Sequence, residues 1–301
     1  MNRRDFLKLM LAAGLISVEM FDRLALTAEA AAVVKKPAGL VVAQGTNPGQ
    51  LIDKGLKALG GINRFVKKGN LVVIKPNFSV PRAPTVGATT NPDLVAALVK
   101  KCLAAGAREV RVIDYPFNNP RICKVKSGME KVVKEAGGKL FTLEEMNSRN
   151  YKEVQLKGPI LKSASYSRDV LEANVFINFP ILKHHGSTTL TMGLKNLMGL
   201  VYDRGIFHAT DLDRTIAELA MFKKPHLTIL DAIKGITDNG PMGPGPIKKY
   251  NQVIFGTDPL AVDAYGAELF GIHPAEISHL KYASQMRLGQ LDWRKVGVQK
   301  V

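Results

Sequence analysis

The chain has 301 residues, 46% of them hydrophobic, which suffices for one large α/β domain with a full core. Its formal net charge of +16 favours anionic partners such as a phosphorylated or carboxylated ligand, an acidic polymer or a lipid surface, although dispersed surface lysines also serve solubility. We expect no nucleic-acid partner, because the basic residues are scattered and no nucleic-acid motif is present, and two cysteines cannot form a four-thiolate iron–sulfur site.

The first 32 residues have the features of an export signal. Arg3 and Arg4, followed by a polar residue and Phe-Leu-Lys, resemble the twin-arginine consensus. The apolar stretch 9–18 is shorter than the roughly 20 residues that a bilayer requires, and small residues at 28–32 suit signal peptidase. We predict a twin-arginine (Tat) signal peptide over 1–32, recognition by the Tat export machinery, and a periplasmic or extracytoplasmic mature chain without a transmembrane anchor. An uncleaved signal that acts as an anchor and an ordinary amphipathic helix are the alternatives.

Short β-branched runs alternate with helical patterns from residue 38 to residue 301. Asn91 before Pro92 and Asp258 before Pro259 are typical of capped helix starts. Such alternation predicts a single α/β domain with a mostly parallel sheet flanked by helices on both faces, a doubly wound, Rossmann-like fold, with a less regular insertion around 139–170. The predicted strands are 40–43, 71–74, 110–113, 175–179, 227–230 and 253–255, and the predicted helices are 49–59, 92–105, 125–136, 188–200, 211–222, 259–270 and 274–287.

Polar residues follow the predicted strands. Since the carboxyl ends of parallel strands meet at one edge of a sheet, where ligands bind, we expect these residues to share a cleft. Each also has a structural alternative: a lysine that reaches towards water, an aspartate that caps a turn, or a glycine-rich connector. In chain order they are Lys75 and Asn77, Asp114, Lys183 and His185, Asp231 with the glycine- and proline-rich loop 235–246 that contains Gly240, and Asp258 with Asp263.

The segment 183–196 has the highest density of candidate ligands. Two histidines precede Ser187 and Thr188 at the start of the predicted helix 188–200, and Lys195 and Asn196 follow two turns later. Hydroxyls at a helix N-terminus with lysines nearby favour a phosphate or carboxylate. Histidines with aspartates favour a divalent metal instead, and a purely structural role is the third alternative. Patterns for a P-loop, a dinucleotide fingerprint, a serine-hydrolase elbow and a zinc peptidase are absent from the sequence.

Six ordered motifs between about residues 70 and 270 together resemble the family called "domain of unknown function 362". Some relatives carry ferredoxin-like cysteine clusters, which this sequence lacks, so the resemblance implies no iron–sulfur cluster. The resemblance supplies no substrate, but it favours as site residues Lys75, Asn77, Asp114, Lys183, His185, Lys195, Asn196, Asp231, Asp258 and Asp263. The motifs are Val73-Ile74-Lys75-Pro76-Asn77, the stretch from Thr90-Asn91-Pro92 through Gly106-Ala107 to Asp114, Pro180-Ile181-Leu182-Lys183-His184-His185, Gly193-Leu194-Lys195-Asn196-Leu197-Met198-Gly199, Asp231 with Asp238-Asn239-Gly240-Pro241, and Gly256-Thr257-Asp258-Pro259-Leu260-Ala261-Val262-Asp263.

The leading hypothesis is an exported enzyme that acts on a small anionic ligand. Lys183 and Lys195 hold the negative charge, and His185 is the candidate acid or base because its ordinary pKa lies near neutrality. Asp231 or Asp263 orients that histidine or binds a metal. A non-catalytic anion- or metal-binding protein of the cell envelope and an assembly partner of an envelope complex are the alternatives. The cofactor is unknown, with a divalent metal as one candidate.

Overall fold

A computed structural model describes residues 3–15, 17–20, 39–143 and 150–301. The chain divides into two compact units, Met1–Ala38 and Gly39–Val301. In the first unit, helix α1 spans Arg3–Ala12, whereas the predicted peptidase site at 28–32 lies outside the described residues. Within the ranges that the structure describes, no helix combines the length and the apolar character needed to cross a bilayer.

The second unit is an α/β domain built on one large sheet and two small ones. Its strands are β1 (Leu40–Gln44), β2 (Leu71–Pro76), β3 (Glu109–Asp114), β4 (Lys139–Thr142), β5 (Tyr151–Gln155), β6 (Ser163–Ser167), β7 (Val175–Phe179), β8 (Lys183–His185), β9 (Thr189–Thr191), β10 (Leu227–Ile236), β11 (Ile247–Gly256) and β12 (Val298–Lys300). Its helices are α2 (Pro48–Ala58), α3 (Pro92–Ala104), α4 (Pro120–Lys126), α5 (Met129–Glu135), α6 (Arg168–Glu172), α7 (Gly193–Asn196), α8 (Gly205–Ala209), α9 (Leu212–Ala220), α10 (Pro259–Phe270) and α11 (Ser278–Gln285).

The large sheet has the strand order β12-β1-β11-β10-β7-β2-β3-β4. Neighbouring residues of β11 show how helices cover both faces: Ile254 belongs to the core cluster that includes α10, whereas Phe255 packs against Gly55 of α2. Strands covered on both sides must be apolar throughout, which explains the continuous hydrophobic runs of β2 and β7. These observations confirm the predicted α/β class and its mostly parallel sheet.

The direction of β11 contradicts the prediction that the residues after every strand share one edge of the sheet. β11 pairs antiparallel with both β1 and β10, whereas every other pairing in the large sheet is parallel. The carboxyl end of β11, at Gly256, therefore lies beside Thr228 at the start of β10. Residues that follow β11 consequently emerge at the edge opposite to the one that Lys75 and Asp114 occupy.

Three other elements differ from the sequence-based expectation. The predicted helix 188–200 is wrong over its first five residues, because residues 183–191 form the hairpin β8–β9 and α7 begins only at Gly193; a 3-10 helix continues it over Leu197–Leu200. The predicted helix 125–136 is two helices, α4 and α5, separated at Gly128, whose φ of 73° is left-handed. In the insertion 139–170, β4 joins the large sheet and β5 pairs with β6 as a separate hairpin.

The predicted helix starts at two prolines are confirmed. The Asn91 side chain accepts a hydrogen bond from the Asp93 amide at the start of α3, and Asp258 accepts from the amides of Leu260 and Ala261 at the start of α10. Within the sheet, β3 and β4 lie on one side of β2, whereas β7 and β10 lie on its other side. The gap between the ends of β2 and β7 is therefore the topological switch point, the usual ligand position in such sheets.

Candidate active site

A cavity of about 610 Å³ opens at this switch point, a volume suited to a small-molecule ligand. Residues that follow β2 and β7, the hairpin β8–β9, helices α7 and α8 and the loop after β10 build its wall. The cavity is lined by Lys75, Asn77, Ser79, Val80, Phe117, Lys183, His185, Ser187, Thr191, Lys195, Asn196, Met198, Gly199, Arg204, Gly205, His208, Pro241 and Met242.

Lys75 and Asp114 form a buried ion pair at the base of the cavity. The Lys75 ammonium lies 2.6 Å from Asp114 Oδ1, and both side chains are almost fully buried. Burial lowers the pKa of Lys75, an effect that the neighbouring carboxylate opposes. The other Asp114 oxygen accepts hydrogen bonds from the Phe78 amide and the Ser79 hydroxyl. The pair thus fixes the chain that leaves β2 onto the end of β3.

Three asparagine side chains connect this pair to α7. Asn196 Oδ1 accepts hydrogen bonds from Lys75 Nζ at 2.7 Å and from Asn77 Nδ2 at 3.2 Å. The Asn196 amide group donates to Lys75 O and to Asn178 Oδ1, and Asn178 in turn donates to Gly193 O. Buried and mutually satisfied, these amides specify one position for α7 and hence for Lys195.

The start of α7 is held from behind by Asp263. Its two carboxylate oxygens accept hydrogen bonds from the Gly193 amide at 2.7 Å and the Leu194 amide at 2.8 Å. Burial raises the pKa of this carboxyl group to about 7, although both amides act in the opposite direction. The helix N-terminus that the sequence predicted at 187–188 is not present, and the actual start of α7 binds a carboxylate of the protein itself. Asp263 thereby positions Lys195 and Asn196.

Lys183 projects from the start of β8 into the cavity wall. Its ammonium donates hydrogen bonds to Ala88 O at 2.6 Å, to Pro241 O at 3.1 Å and to Asn77 Oδ1 at 3.4 Å. Burial first, and then the charges of Lys75 and Lys195, lower the pKa of Lys183 to about 7, although the Asp114 charge raises it.

Lys195 and Arg204 complete a cationic wall. Burial lowers the pKa of Lys195 to about 8, and the charge of Arg204 contributes to that shift. Arg204 donates hydrogen bonds to the Tyr115 and Pro116 carbonyl oxygens, and its guanidinium lies 4.0 Å from the Tyr115 ring centroid. In the described parts of the chain, no carboxylate lies within the 4.0 Å of an ion pair from Lys183, Lys195 or Arg204.

His185 lies among these cations as a neutral imidazole. Burial is the main cause that lowers its pKa to about 3, and Lys195 and Lys183 add to it. His185 Nδ1 accepts a hydrogen bond from the Ser187 amide at 3.1 Å, which assigns the ring proton to Nε2. The side chain therefore has an N–H to offer to a ligand in the cavity.

The glycine- and proline-rich loop after β10 closes one side of the cavity. The Gly240 amide donates to His184 Nδ1 at 3.0 Å, and a Cβ at residue 240 would overlap the His184 carbonyl oxygen. Arg82 donates to the carbonyl oxygens of Met242 and Gly243. Gly240 therefore acts by permitting close contact with β8, and the loop brings Pro241 and Met242 to the cavity.

Three predicted site residues lie elsewhere. Asp231 is buried outside the cavity wall, where it accepts hydrogen bonds from the amides of Asn91 and Ile233, and burial raises its pKa to about 6. Asp258 caps α10 and also accepts from the Gln290 amide, at the opposite edge of the sheet because β11 is antiparallel. Thr188 lies in the β8–β9 turn, where its hydroxyl donates to Leu190 O.

The proposed orientation of His185 by an aspartate has no counterpart in the geometry. Both Asp231 and Asp263 direct their carboxylate oxygens to backbone amides, and the Ser187 amide holds the histidine instead. Across the described residues, no group of three or more His, Cys, Asp or Glu side chains is arranged to hold a metal ion.

Several site residues were missed at the sequence level. Asn178 is the one polar position inside the apolar strand β7, and a buried amide in such a strand is a usable signal. Thr191 lines the cavity with a buried hydroxyl that has no hydrogen-bond partner among the described residues. Thr191 reaches the cavity wall because it lies on the β8–β9 hairpin, and the sequence predicted a helix at this position instead.

Comparisons with known proteins agree with this architecture. The chain is 29% identical over 250 residues to the thylakoid-associated protein sll1697 of Synechocystis, covering 78% of this chain and 73% of that protein. It superposes on the lactate racemase apoprotein from Thermoanaerobacterium thermosaccharolyticum with a TM-score of 0.51 and 14% identity, over 79% of this chain and 57% of that one, a likeness of fold alone. Residues 72–268 match the model of one family, and that segment contains the cationic lysines, the asparagine network and Asp263. The chain therefore belongs to the family described as "Domain of unknown function (DUF362)".

Proposed function

We propose that this protein is an enzyme that acts on a small phosphate- or carboxylate-bearing ligand in the cavity between β2 and β7. The observation that carries the proposal is the wall formed by Lys183, Lys195 and Arg204, three cationic side chains without a carboxylate partner in the described structure. Lys183 is buried, and Lys195 and Arg204 are partly buried. Withdrawing positive groups from water without a nearby anion is costly, and a ligand anion supplies the compensating charge.

The same wall offers groups for proton transfer. A neutral His185 with its proton on Nε2 donates a hydrogen bond to a ligand oxygen, and Lys183 with a pKa of about 7 exchanges a proton near neutrality. An arriving anion raises the pKa of both groups, because negative charge favours their protonated forms.

Isothermal titration with inorganic phosphate, pyrophosphate, acetate and malonate tests the binding part of this proposal. We expect at least one of these anions to bind at one site per chain. Lys195→Met and Arg204→Met should each weaken that binding by about tenfold or more, as expected for loss of a hydrogen bond to a charged group. Lys100→Met, which removes an exposed lysine on α3, is the matched control and should leave the affinity unchanged.

Catalysis is tested separately with the anion that binds. We expect His185→Gln to keep the affinity within a few-fold while it slows conversion, or exchange of ligand hydrogen with deuterated solvent, by about a hundredfold. Tight binding without conversion or exchange in the parent protein would instead favour a non-catalytic binding protein of the envelope. If Lys195→Met and Lys100→Met bind every anion equally well, the cavity is not the anion site.

We further propose that the protein works outside the cytoplasm after export by the Tat machinery. The support is the Arg3-Arg4 motif, together with a relative that is named for its association with thylakoids. A divalent metal remains a proposal as a cofactor, and elemental analysis of protein taken from its own host tests it. We propose no iron–sulfur cluster, because the chain has only two cysteines.

A further inference from the structure

Exposed apolar side chains are concentrated beside the mouth of the cavity. Between Gly39 and Val301, seven large apolar side chains of the described residues are at least 40% exposed, and two of these, Met221 and Ile247, lie on other elements. The remaining five belong to α4, to the turn before it and to the segment around α8. They are Phe117 (68% exposed), Ile122 (47%), Val125 (62%), Tyr202 (46%) and Ile206 (43%).

Contacts join the turn before α4 to the segment that leads into α8. The Tyr202 ring stacks on the Tyr115 ring with centroids 6.3 Å apart, and Arg204 donates hydrogen bonds to the carbonyl oxygens of Tyr115 and Pro116. Phe117, the next residue, lines the cavity. We call the five exposed side chains the apolar rim. One of them, Phe117, lines the cavity with Arg204, Gly205 and His208, and the helix that carries Ile122 and Val125 begins three residues after Phe117.

Basic side chains accompany the apolar rim. Helix α4 has the sequence PRICKVK, with three basic residues and no acidic one, and the side chains of Arg121 and Lys126 are exposed beside Ile122 and Val125. Arg204 adds a positive group on the α8 side. Exposed apolar side chains with a cationic border are the composition that binds an anionic lipid surface, where apolar tips enter the interface and basic side chains contact headgroups.

We propose that the apolar rim docks the protein onto an anionic bilayer surface, with the mouth of the cavity next to the lipid headgroups. A bilayer fits better than a protein partner because the apolar tips project from a helix that carries several positive charges, and the whole chain carries a formal charge of +16. This proposal is independent of the ligand in the cavity. It names an anionic lipid surface as the partner of the positively charged chain.

Vesicle sedimentation of the full chain tests the docking surface. We expect binding to vesicles of phosphatidylcholine mixed with phosphatidylglycerol, and weak binding to phosphatidylcholine alone. Ile122→Ser/Val125→Ser should lower the partition coefficient by about tenfold, because two apolar side chains no longer enter the interface. Arg121→Gln/Lys126→Gln should lower it by roughly fivefold per charge on the anionic vesicles.

Met221→Ser/Ile247→Ser is the matched control, since it removes two equally exposed apolar side chains away from the rim and should leave partitioning unchanged. The amino-terminal segment is common to all variants, so only differences between them are scored. Equal partitioning of the rim and control variants, or no preference for anionic vesicles, would overturn the proposal. A dimer of the parent protein in sedimentation equilibrium that is absent in the rim variant would also overturn the proposal, because the rim would then be a contact between two copies of the chain.

The test of vesicle binding can fail or succeed independently of the test of anion binding in the cavity. Ile122 and Val125 do not line the cavity, so the rim variant should bind small anions as the parent does. Conversely, Lys195→Met should lose anion affinity and still sediment with anionic vesicles. If the rim variant loses both anion affinity and vesicle binding and its circular dichroism spectrum changes, it is misfolded. The vesicle binding of Arg121→Gln/Lys126→Gln, which replaces only exposed side chains, then decides whether the docking proposal holds.

Discussion

The ion pair of Lys75 and Asp114 illustrates how single residues determine this site. Both side chains are buried, and their charges compensate each other at 2.6 Å. A lysine at the end of an apolar strand often has no role in a site and simply extends its ammonium group into water. In the structure the ammonium is held inward by Asp114 and Asn196, so the residue is part of the cavity base.

We predict that Lys75→Met lowers the free energy of unfolding by about 3–5 kcal/mol, because the change leaves the Asp114 carboxylate buried without its counterion. Urea denaturation followed by circular dichroism measures the loss. Lys75→Met/Asp114→Asn should recover part of it, since an asparagine carries no charge to desolvate. A double variant no more stable than Lys75→Met would show that the amide contacts of Asp114, not its charge, dominate.

His185 and Lys183 show what the sequence could not predict at this scale. The motifs placed both side chains in the cavity, yet a sequence contains no information on burial or on neighbouring charge. The ordinary pKa of histidine suggested an acid or base that titrates near neutrality. Burial first, and then the neighbouring positive charges, instead lower the pKa of His185 to about 3 and that of Lys183 to about 7, so the lysine is the group that titrates there.

At the scale of elements, the position of α7 connects the core to the site. Asp263 on α10 accepts hydrogen bonds from the first two amides of α7, and α7 carries Lys195 and Asn196. Asp258, five residues earlier, caps α10 itself. The two aspartates perform the same chemistry, since each accepts hydrogen bonds from backbone amides at the start of a helix, so they form a matched pair for a test.

We predict that Asp263→Asn and Asp258→Asn each destabilise the fold by about 1–3 kcal/mol, since each loses carboxylate hydrogen bonds to backbone amides. Only Asp263→Asn should also weaken anion binding, because α7, which Asp263 caps, carries cavity residues, whereas α10, which Asp258 caps, carries none. Thermal denaturation combined with isothermal titration separates the two effects. Equal anion affinities of the two variants would mean that α7 keeps its position without this cap.

The sequence predicted most elements but not their directions. Apolar runs at 40–43, 71–74 and 175–179 correspond to strands, because strands covered on both faces must be apolar. The run 253–255 is equally apolar, and nothing in it shows that β11 is antiparallel. Likewise, hydroxyls at 187–191 suit a helix start and a hairpin turn, and the left-handed φ of 62° at Thr189 is a tertiary outcome.

At the scale of the whole molecule, charge and exposed apolar surface bear on where the protein works. The proposed export and the proposed docking of the apolar rim together bring a basic chain to an anionic surface. The structural comparison adds only the fold, since similar α/β folds carry unrelated functions. The location therefore requires its own experiment.

We predict that Arg3→Lys/Arg4→Lys prevents export in the native host, because the paired arginines are the recognition element of the Tat consensus. Cell fractionation with immunoblotting measures the cytoplasmic share. Arg23→Lys, the same change further along the segment, is the control and should leave export intact. Unchanged extracytoplasmic levels of the double variant would exclude this route.

The central claim is that Lys183, Lys195 and Arg204 bind an anion, and one titration tests it most directly. The pKa values of Lys183 and Lys195, lowered to about 7 and about 8, rise when an anion binds, so binding takes up protons. Affinity is therefore highest below both values and falls as the pH increases from about 7 to about 9. The measurement is isothermal titration near pH 8 in two buffers of different ionisation enthalpy.

The account predicts enthalpies that differ between the buffers in the direction of proton uptake, with less uptake in Lys183→Met than in the parent. Equal enthalpies in both buffers together with a pH-independent affinity, or no binding by any phosphate or carboxylate tested, would contradict it.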